Sequence, residues 1–385
     1  MRGSTVLDDM EKLKELDPSN MLGHCLRMPE YCREATQLGT QLELPQKVKI
    51  SKTQRIEYGR PRDILIAGMG GSAIGGEMLG DWLREELSIP VGICRDYHLP
   101  AHADEDTLVF VVSYSGETEE ALSAFVDVLH RRCMTITLTS GGHLLSFSDR
   151  LGVPHLRIPE GFPSRAAFPY LFFPLPILLH KLKLISDVAQ ALGRATKVLE
   201  GVKRECAPHI AVENNPSKRL ALELKGTIPV IYSLEAYRAV AHRLKTQLNE
   251  NSKLPCRYDT FPELNHNEIM GWEASQSLTH NFSALLLRDP EEAPETKYRI
   301  QLTKSLLSEK ARKVHELHAR GEDKLSKMLS LVYLGDFLSV YLALLRDVDP
   351  TPVQSITLVK NGLRKRFAVA DRLEAEIQEL ANSDS

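Results

Sequence analysis

Between Arg62 and Pro159 the chain repeats one rhythm, a short apolar run followed by a polar or glycine-rich turn. DILIAG leads into MGGSAIGGEMLGDWLREEL, and VGICRDY forms a second run. TLVFVVS leads through YSGE into TEEALSAFVDVLHRR, and MTITLTS and GVPHLRIP complete the series. Apolar runs this short, rich in Val and Ile, read as strands buried on both faces. Strands alternating with amphipathic helices predict a parallel sheet covered by helices on both sides.

The rhythm returns further on. IPVIYS, CRYDTF, FSALLLR and ARKVHELH read as strands, EAYRAVAHRLKTQLNEN as a helix and DKLSKMLSLVYLGDFLSVYLALLRDV as a long helix. The two stretches, residues 60–158 and 225–320, read as two copies of one architecture. Between them SRAAFPYLFFPLPILLHKLKLI and SDVAQALGRATKVLEGVKREC are helical and bridge two domains. Ahead of them MEKLKELDPSNML and PEYCREATQL carry helical spacing, and QKVKISKTQR reads as a basic, solvated run. MRGS resembles the start of an expression tag and carries no weight. The expected organisation is a helical lead-in over 1–60, a first α/β domain over 61–160 and a helical connector over 161–215. A second α/β domain follows over 216–350, and a helical tail with a frayed acidic tip over 351–385. At roughly 100–200 residues per domain, 385 residues also suggest two domains.

Composition removes several classes of function. With 48 Lys+Arg against 51 Asp+Glu, the net charge of -3 gives no reason to expect nucleic acid or an anionic membrane as partner. The six cysteines have no CxxC spacing, which argues against a structural zinc site and a disulfide framework. The first residues hold no apolar stretch of signal-peptide type, so the expected location is the cytosol. The most membrane-like segment, Ala166 to Leu179, is too short for a span and carries Pro169, Pro174 and Pro176. It is expected to be buried in protein.

Two turns follow predicted strands and open helices. Gly68-Met69-Gly70-Gly71-Ser72-Ala73 fits G-x-G-x-x-A. Three readings are open for it: a dinucleotide fingerprint, a phosphate cradle and a bare structural turn. The dinucleotide reading wants an acidic residue ending the second strand, and Asp96 comes late for that. No GK[ST] follows, so it is not a P-loop. Ser113-Tyr114-Ser115-Gly116-Glu117-Thr118 offers three hydroxyls beside free helix amides, a compact anion site. The alternative is a well-capped helix, with Thr118 or Ser115 as N-cap and Glu119 and Glu120 in its first turn. On one carboxyl edge of one sheet, the two turns together favour phosphate.

Three further groups carry chemistry. Arg165 heads an apolar segment, where a buried guanidinium needs an anion. It reads either as a helix cap or as an electrostatic clamp on a developing oxyanion. Glu250, in Leu248-Asn249-Glu250-Asn251-Ser252-Lys253, ends a helix and faces the negative end of its macrodipole. It is a candidate general base or a surface glutamate. His266, in Pro262-Glu263-Leu264-Asn265-His266-Asn267-Glu268, has Asn265, Asn267 or Glu268 to fix its tautomer. It reads as an acid–base group or a structural histidine, and no HExxH or His-pair spacing supports a metal.

GMGGSAIGG followed by VVSYSGETEEAL resembles the sugar isomerase (SIS) domain, a doubly wound phosphosugar-binding domain. Glu117 stands where the SIS pattern SxSGNT commonly has Asn, and its charge opposes an anion unless it points outward. LNENSK and PELNHNEIMGW, with PSRAAFPYL and DPTPVQSITLVKNGL, are similar to the bifunctional phosphoglucose/phosphomannose isomerase family. The resemblance covers about residues 60–365. It implies two SIS domains of flavodoxin-like three-layer αβα form with helical connectors. It implies that Gly70, Gly71, Ser72, Ser113, Ser115 and Thr118 hold the sugar phosphate and that Glu250 moves a proton between C1 and C2. It further implies that Arg165 stabilises a cis-enediolate and that His266 assists ring opening, with Lys360 beside the ring oxygen or hydroxyls. In this family the histidine enters from a second subunit, which implies a homodimer. Aldose–ketose isomerisation of this kind needs neither redox cofactor nor metal. Two other readings stand beside it: an SIS enzyme of another sugar phosphate, and a non-catalytic phosphosugar sensor. The second would often carry a basic helix-turn-helix, and no such pattern is present.

Overall fold

The computed structural model describes residues 5–382; the MRGS opening and the last three residues lie outside it. The chain divides into two compact units. One, the amino-sheet unit, comprises Glu30–Ala189 and the residues from Val353 on. The other, the carboxy-sheet unit, comprises Gln190–Pro352 and the residues up to Pro29. Each unit therefore takes in a segment from the far end of the chain.

The amino-sheet unit opens with two short strands, β1 (Lys47–Lys49) and β2 (Arg55–Glu57), which pair antiparallel with Val48 opposite Ile56. This corrects the reading of QKVKISKTQR as a solvated run. Its lysines and arginines point outward while Val48, Ile50 and Ile56 enter the core. A period of two over three residues is too short to stand out from the surrounding charge.

The main sheet holds β3 (Asp63–Ala67), β4 (Val91–Cys94), β5 (Thr107–Val112), β6 (Met134–Thr139) and β7 (His155–Arg157). All five strands are parallel, in the order β4-β3-β5-β6-β7, with Ile66 beside both Ile93 and Phe110. Every residue of β3, β5 and β6 is buried, the signature of strands covered on both faces. On one face Leu65, Val109 and Val111 pack with Leu122, Phe125 and Phe147. Val369, Leu373 and Ile377 of the last helix join them. On the other, the helix Gly71–Leu83 lies between β3 and the helix Phe168–Phe172. Two glycines permit that sandwich. A Cβ at Gly75 would come 2.7 Å from the Leu171 carbonyl, and one at Gly76 would come 2.5 Å from Ile66.

The apolar Ala166–Leu179 stretch is buried, as its prolines predict. Pro169 and Pro174 each sit in the first turn of a new helix, Phe168–Phe172 and Pro174–Lys181, so no single long helix forms.

The carboxy-sheet unit holds β8 (Ile228–Leu234), β9 (Arg257–Phe261), β10 (Phe282–Arg288) and β11 (Lys313–His318). They are parallel, in the order β11-β10-β8-β9. Read from the other edge, this is the order of β4-β3-β5-β6, so the two units repeat one doubly wound topology. The helix Lys324–Leu344 is the one described helix long and apolar enough to cross a membrane. It is instead the core of this unit, buried at every position from Leu325 to Leu344. The helices Pro216–Leu224 and Arg238–Glu250 pack on it. The N-terminal segment belongs here: Asp8 meets the fully buried Lys218 at 3.1 Å, and the Cys25 carbonyl accepts from Tyr333 at 2.6 Å. All six cysteines are free thiols.

Candidate active site

In the amino-sheet unit the strand order reverses between β3 and β5, the topological switch point where doubly wound sheets bind ligands. The two turns singled out in the sequence leave the carboxyl ends of these two strands. Gly70 lies at φ +51° with open space around its α-carbon, and it stands at the N-cap without a side-chain cap. The first amides of the helix Gly71–Leu83 are therefore not taken up by a capping side chain. Gly71 faces the second element of the site. Its missing Cβ would lie 3.6 Å from Ser164 and from the Cα of Arg165.

The hydroxyl turn is braced from within. Ser113 is fully buried, accepts from the Gly116 amide at 3.1 Å and donates to Thr118 Oγ1 at 3.1 Å. Thr118 holds the N-cap position of the helix Glu119–Arg131, yet its hydroxyl makes no cap bond. The well-capped-helix reading thus fails at its central bond, and the first amides stay available. Ser115 is exposed and accepts from the Glu117 amide at 3.2 Å. Ser72 Oγ, buried, accepts from the Tyr114 amide at 3.3 Å, which ties the glycine turn to the hydroxyl turn.

Tyr114 was not singled out in the sequence, and it is the joint of the site. Its hydroxyl accepts from the Phe162 amide at 2.8 Å and donates to the Pro159 carbonyl at 3.4 Å. Phe162 packs edge-on against Tyr31 and Tyr170. These contacts seat the segment that leads into the turn Ser164–Ala167, where Arg165 is only 4% exposed. The one available signal was an aromatic residue amid the hydroxyls of a tight turn. Lys360 lies in the same unit, exposed on the helix Gln354–Phe367, which buries no residue.

Glu250 and His266 belong to the carboxy-sheet unit. Glu250 is the half-buried last residue of the helix Arg238–Glu250, as its sequence setting predicts. Its neighbours are all anchored. Asn249 donates to the Leu254 carbonyl at 2.7 Å, and Asn251 bonds Gln247 and Ser339, each at 2.9 Å. Ser252 donates to the Ser339 carbonyl at 2.6 Å, and Lys253 bonds the Glu250 and Pro350 carbonyls. The NENSK motif is thus a brace against the core helix that fixes where the glutamate stands.

His266 ends the short turn Glu263–His266 and is exposed. The expected tautomer-fixing partners are committed elsewhere. Asn265 bonds Thr303 at 2.8 Å and Asn267 bonds Glu263 at 2.7 Å. Glu268 bonds Tyr232 at 2.9 Å and Arg257 at 2.6 Å. Their role is to shape the turn that presents the imidazole.

The carboxyl edge of the second sheet is closed by charge. Arg288 chelates Glu292 at 2.7 and 2.6 Å and also meets Glu316, which Lys304 reaches as well. Lys327 bridges Asp289 at 3.0 Å and Glu291 at 2.5 Å, and Tyr237 donates to Asp289 at 2.5 Å. Burial acts to raise Asp289, but the bonds from Tyr237, the Glu291 amide and Lys327 outweigh it. They hold this carboxyl below its ordinary range. Among the described residues no group of three or more His, Cys, Asp or Glu side chains has the arrangement of a metal site.

Comparison with known proteins identifies the family and the fold. Residues 213–363 match the bacterial phospho-glucose isomerase C-terminal SIS domain. The chain is 38% identical over 337 residues to the bifunctional phosphoglucose/phosphomannose isomerase of Caldicellulosiruptor bescii, covering 87% of this chain and 96% of that one. It is 34% identical over 305 residues to the enzyme of the same name from Aquifex aeolicus, covering 79% and 91%. A solved glucose-6-phosphate isomerase like protein from Thermus thermophilus shares the fold at 19% identity. Its TM-score is 0.57, over 92% of this chain and 98% of that one. A chain with two doubly wound units, both turns and this extent of identity belongs to the bifunctional phosphoglucose/phosphomannose isomerase family.

Proposed function

We propose that this protein is a cytosolic aldose–ketose isomerase that interconverts glucose 6-phosphate and/or mannose 6-phosphate with fructose 6-phosphate, without a metal or redox cofactor. The observation that carries the reading is the joined pair of turns at the switch point. The uncapped amino terminus of the helix Glu119–Arg131, the backbone of the glycine turn and the hydroxyls of Ser115 and Thr118 make up this anion site, with no lysine or arginine in either loop. Gly70 and Gly71 offer their backbone, and Ser72 and Ser113 brace the cradle from beneath. Such a site holds a phosphomonoester by dipoles, which suits a group that must bind and leave.

The chemistry follows from the remaining residues. Glu250 takes the proton from the carbon beside the carbonyl and returns it to the neighbouring carbon, so no net proton is gained or lost. Arg165 stabilises the negative charge that develops on the enediolate oxygen between those steps. His266, with Lys360 near the ring oxygen or hydroxyls, transfers the proton that opens the hexose ring. A planar enediolate accepts the proton on either face, so epimers at C2 meet in one ketose.

We further infer a homodimer in which His266 serves the partner's site. An exposed imidazole on a braced turn, with no side-chain partner among the described residues, supports it. So does the helix Gln354–Phe367, which exposes Ile356, Leu358 and Val359.

The deciding experiment is a coupled assay of the purified protein on glucose 6-phosphate and mannose 6-phosphate, with and without exhaustive chelation. Turnover of at least one hexose phosphate, unaffected by chelator, is the expected result. Turnover of neither, or activity lost on chelation and restored by zinc, overturns the proposal.

A further inference from the structure

Glu117 places a negative charge inside the turn that is to hold an anion. The structure puts that carboxylate to another use. The backbone amide of His143 donates to Oε1 at 3.0 Å, and His143 Nδ1 lies 3.0 and 2.9 Å from the two carboxylate oxygens. His143 is the second residue of the helix Gly142–Leu151, whose N-cap, Gly141, supplies no side-chain cap. Glu117 therefore caps that helix from a different loop, with its charge at the positive end of the macrodipole.

The approach depends on Gly142, at φ +68°, since a Cβ there would lie 2.6 Å from Oε1. Further bonds join the same two segments. The Leu144 amide donates to the Gly116 carbonyl at 3.1 Å, and the Ser140 amide and hydroxyl donate to the Tyr114 carbonyl at 2.9 and 2.6 Å. Behind His143, its Nε2 faces Glu374 at 3.9 Å, and Glu374 pairs with Arg150 at 3.2 Å.

We propose that His143 and Glu117 form a positioning pair that sets the phosphate affinity of the hydroxyl turn. His143 draws the Glu117 carboxylate onto the neighbouring helix end and away from the anion at Ser115 and Thr118. This rests on reading that turn as the sugar-phosphate cradle. Without the imidazole the carboxylate keeps only one amide, and its charge is free to oppose the phosphate.

The test is a set of three variants, His143→Ala, Glu117→Gln and the double variant, assayed for kcat and KM on fructose 6-phosphate. His143→Ala should raise KM about three- to tenfold, the range for a partly exposed charge near an anion, with kcat largely retained. Adding Glu117→Gln should bring KM back to within about twofold of the starting value, because no charge remains to repel. A helix brace alone would lower the thermal midpoint without moving KM. An unchanged KM for His143→Ala, or a double variant no better than the single, overturns the pair. Ser115→Ala separates the two possible failures. If it raises KM and His143→Ala does not, only the pair falls; if neither raises KM, the cradle itself falls.

Discussion

After β5 the chain turns through Ser113–Thr118, where hydroxyls and uncapped amides stand open. After β10, the corresponding strand of the other sheet, it turns through Asp289–Glu292, where each of the four charges around Arg288 and Lys327 meets a counter-charge. The contrast holds one strand over as well. β3 leads into the glycine turn, whereas β8 leads into Glu235–Tyr237, with Glu235 bonded to Thr260 at 2.7 Å and Arg238 at 2.5 Å. One topology thus leaves hydroxyls and uncapped amides at its switch point in one unit and fills the same place with paired charges in the other. Charges already paired with one another are not available to bind a phosphate, so the proposed anion site falls to the first unit.

The comparison is broken most severely if the second unit holds no catalytic group. Glu250→Gln should lower kcat by about two to four orders of magnitude, the usual span for losing a general base, and leave KM within about threefold. Full turnover would remove the base assignment. A complementation experiment extends the same point. Mixing inactive Glu250→Gln and His266→Ala subunits should recover about a quarter of the activity, since about half of randomly formed dimers then contain one intact site. No recovery would place both residues in one subunit's site.

Within the first unit, Arg165→Ala should cost about a hundred- to a thousandfold in kcat, as for loss of an oxyanion donor. A change confined to KM would make it a substrate anchor rather than a clamp. Glu292→Gln probes the second edge. It removes one of the two carboxylates on Arg288, 8% exposed, and with Glu316 still paired should cost about 2 kcal/mol in denaturant unfolding with KM unchanged. A rise in KM would mean the two edges are not divided in function.

The smallest effect concerns acid. Asp289 is held below the ordinary carboxylate range, so the stability it contributes is present above about pH 4 and lost as pH falls through its folded value. Asp289→Asn should therefore be less stable near neutrality and converge with the parent at lower pH. Parallel curves across the whole range would deny it that role.

The architecture was legible because buried parallel strands announce themselves: DILIA, TLVFVV and MTITLT are continuous apolar runs and form β3, β5 and β6. Glu250 was legible too, since a helix end is a local property. The strands β1 and β2 were hidden because three residues of alternation are lost among lysines. Tyr114 was hidden for a different reason. Its importance lies in bonds to Phe162 and Pro159, far along the chain, and no local pattern encodes them.

By itself the sequence determined two parallel α/β units, a glycine turn and a hydroxyl turn in one of them, and a family resemblance that names the acid–base set. These follow from periodicity and short motifs, which act over a few neighbouring residues. Tertiary structure alone decided which hydroxyls brace and which face outward, where the Glu117 charge goes, and that the second sheet's edge is closed. Those are outcomes of side chains distant in sequence competing for the same hydrogen bonds and charges, and only packing brings the competitors together.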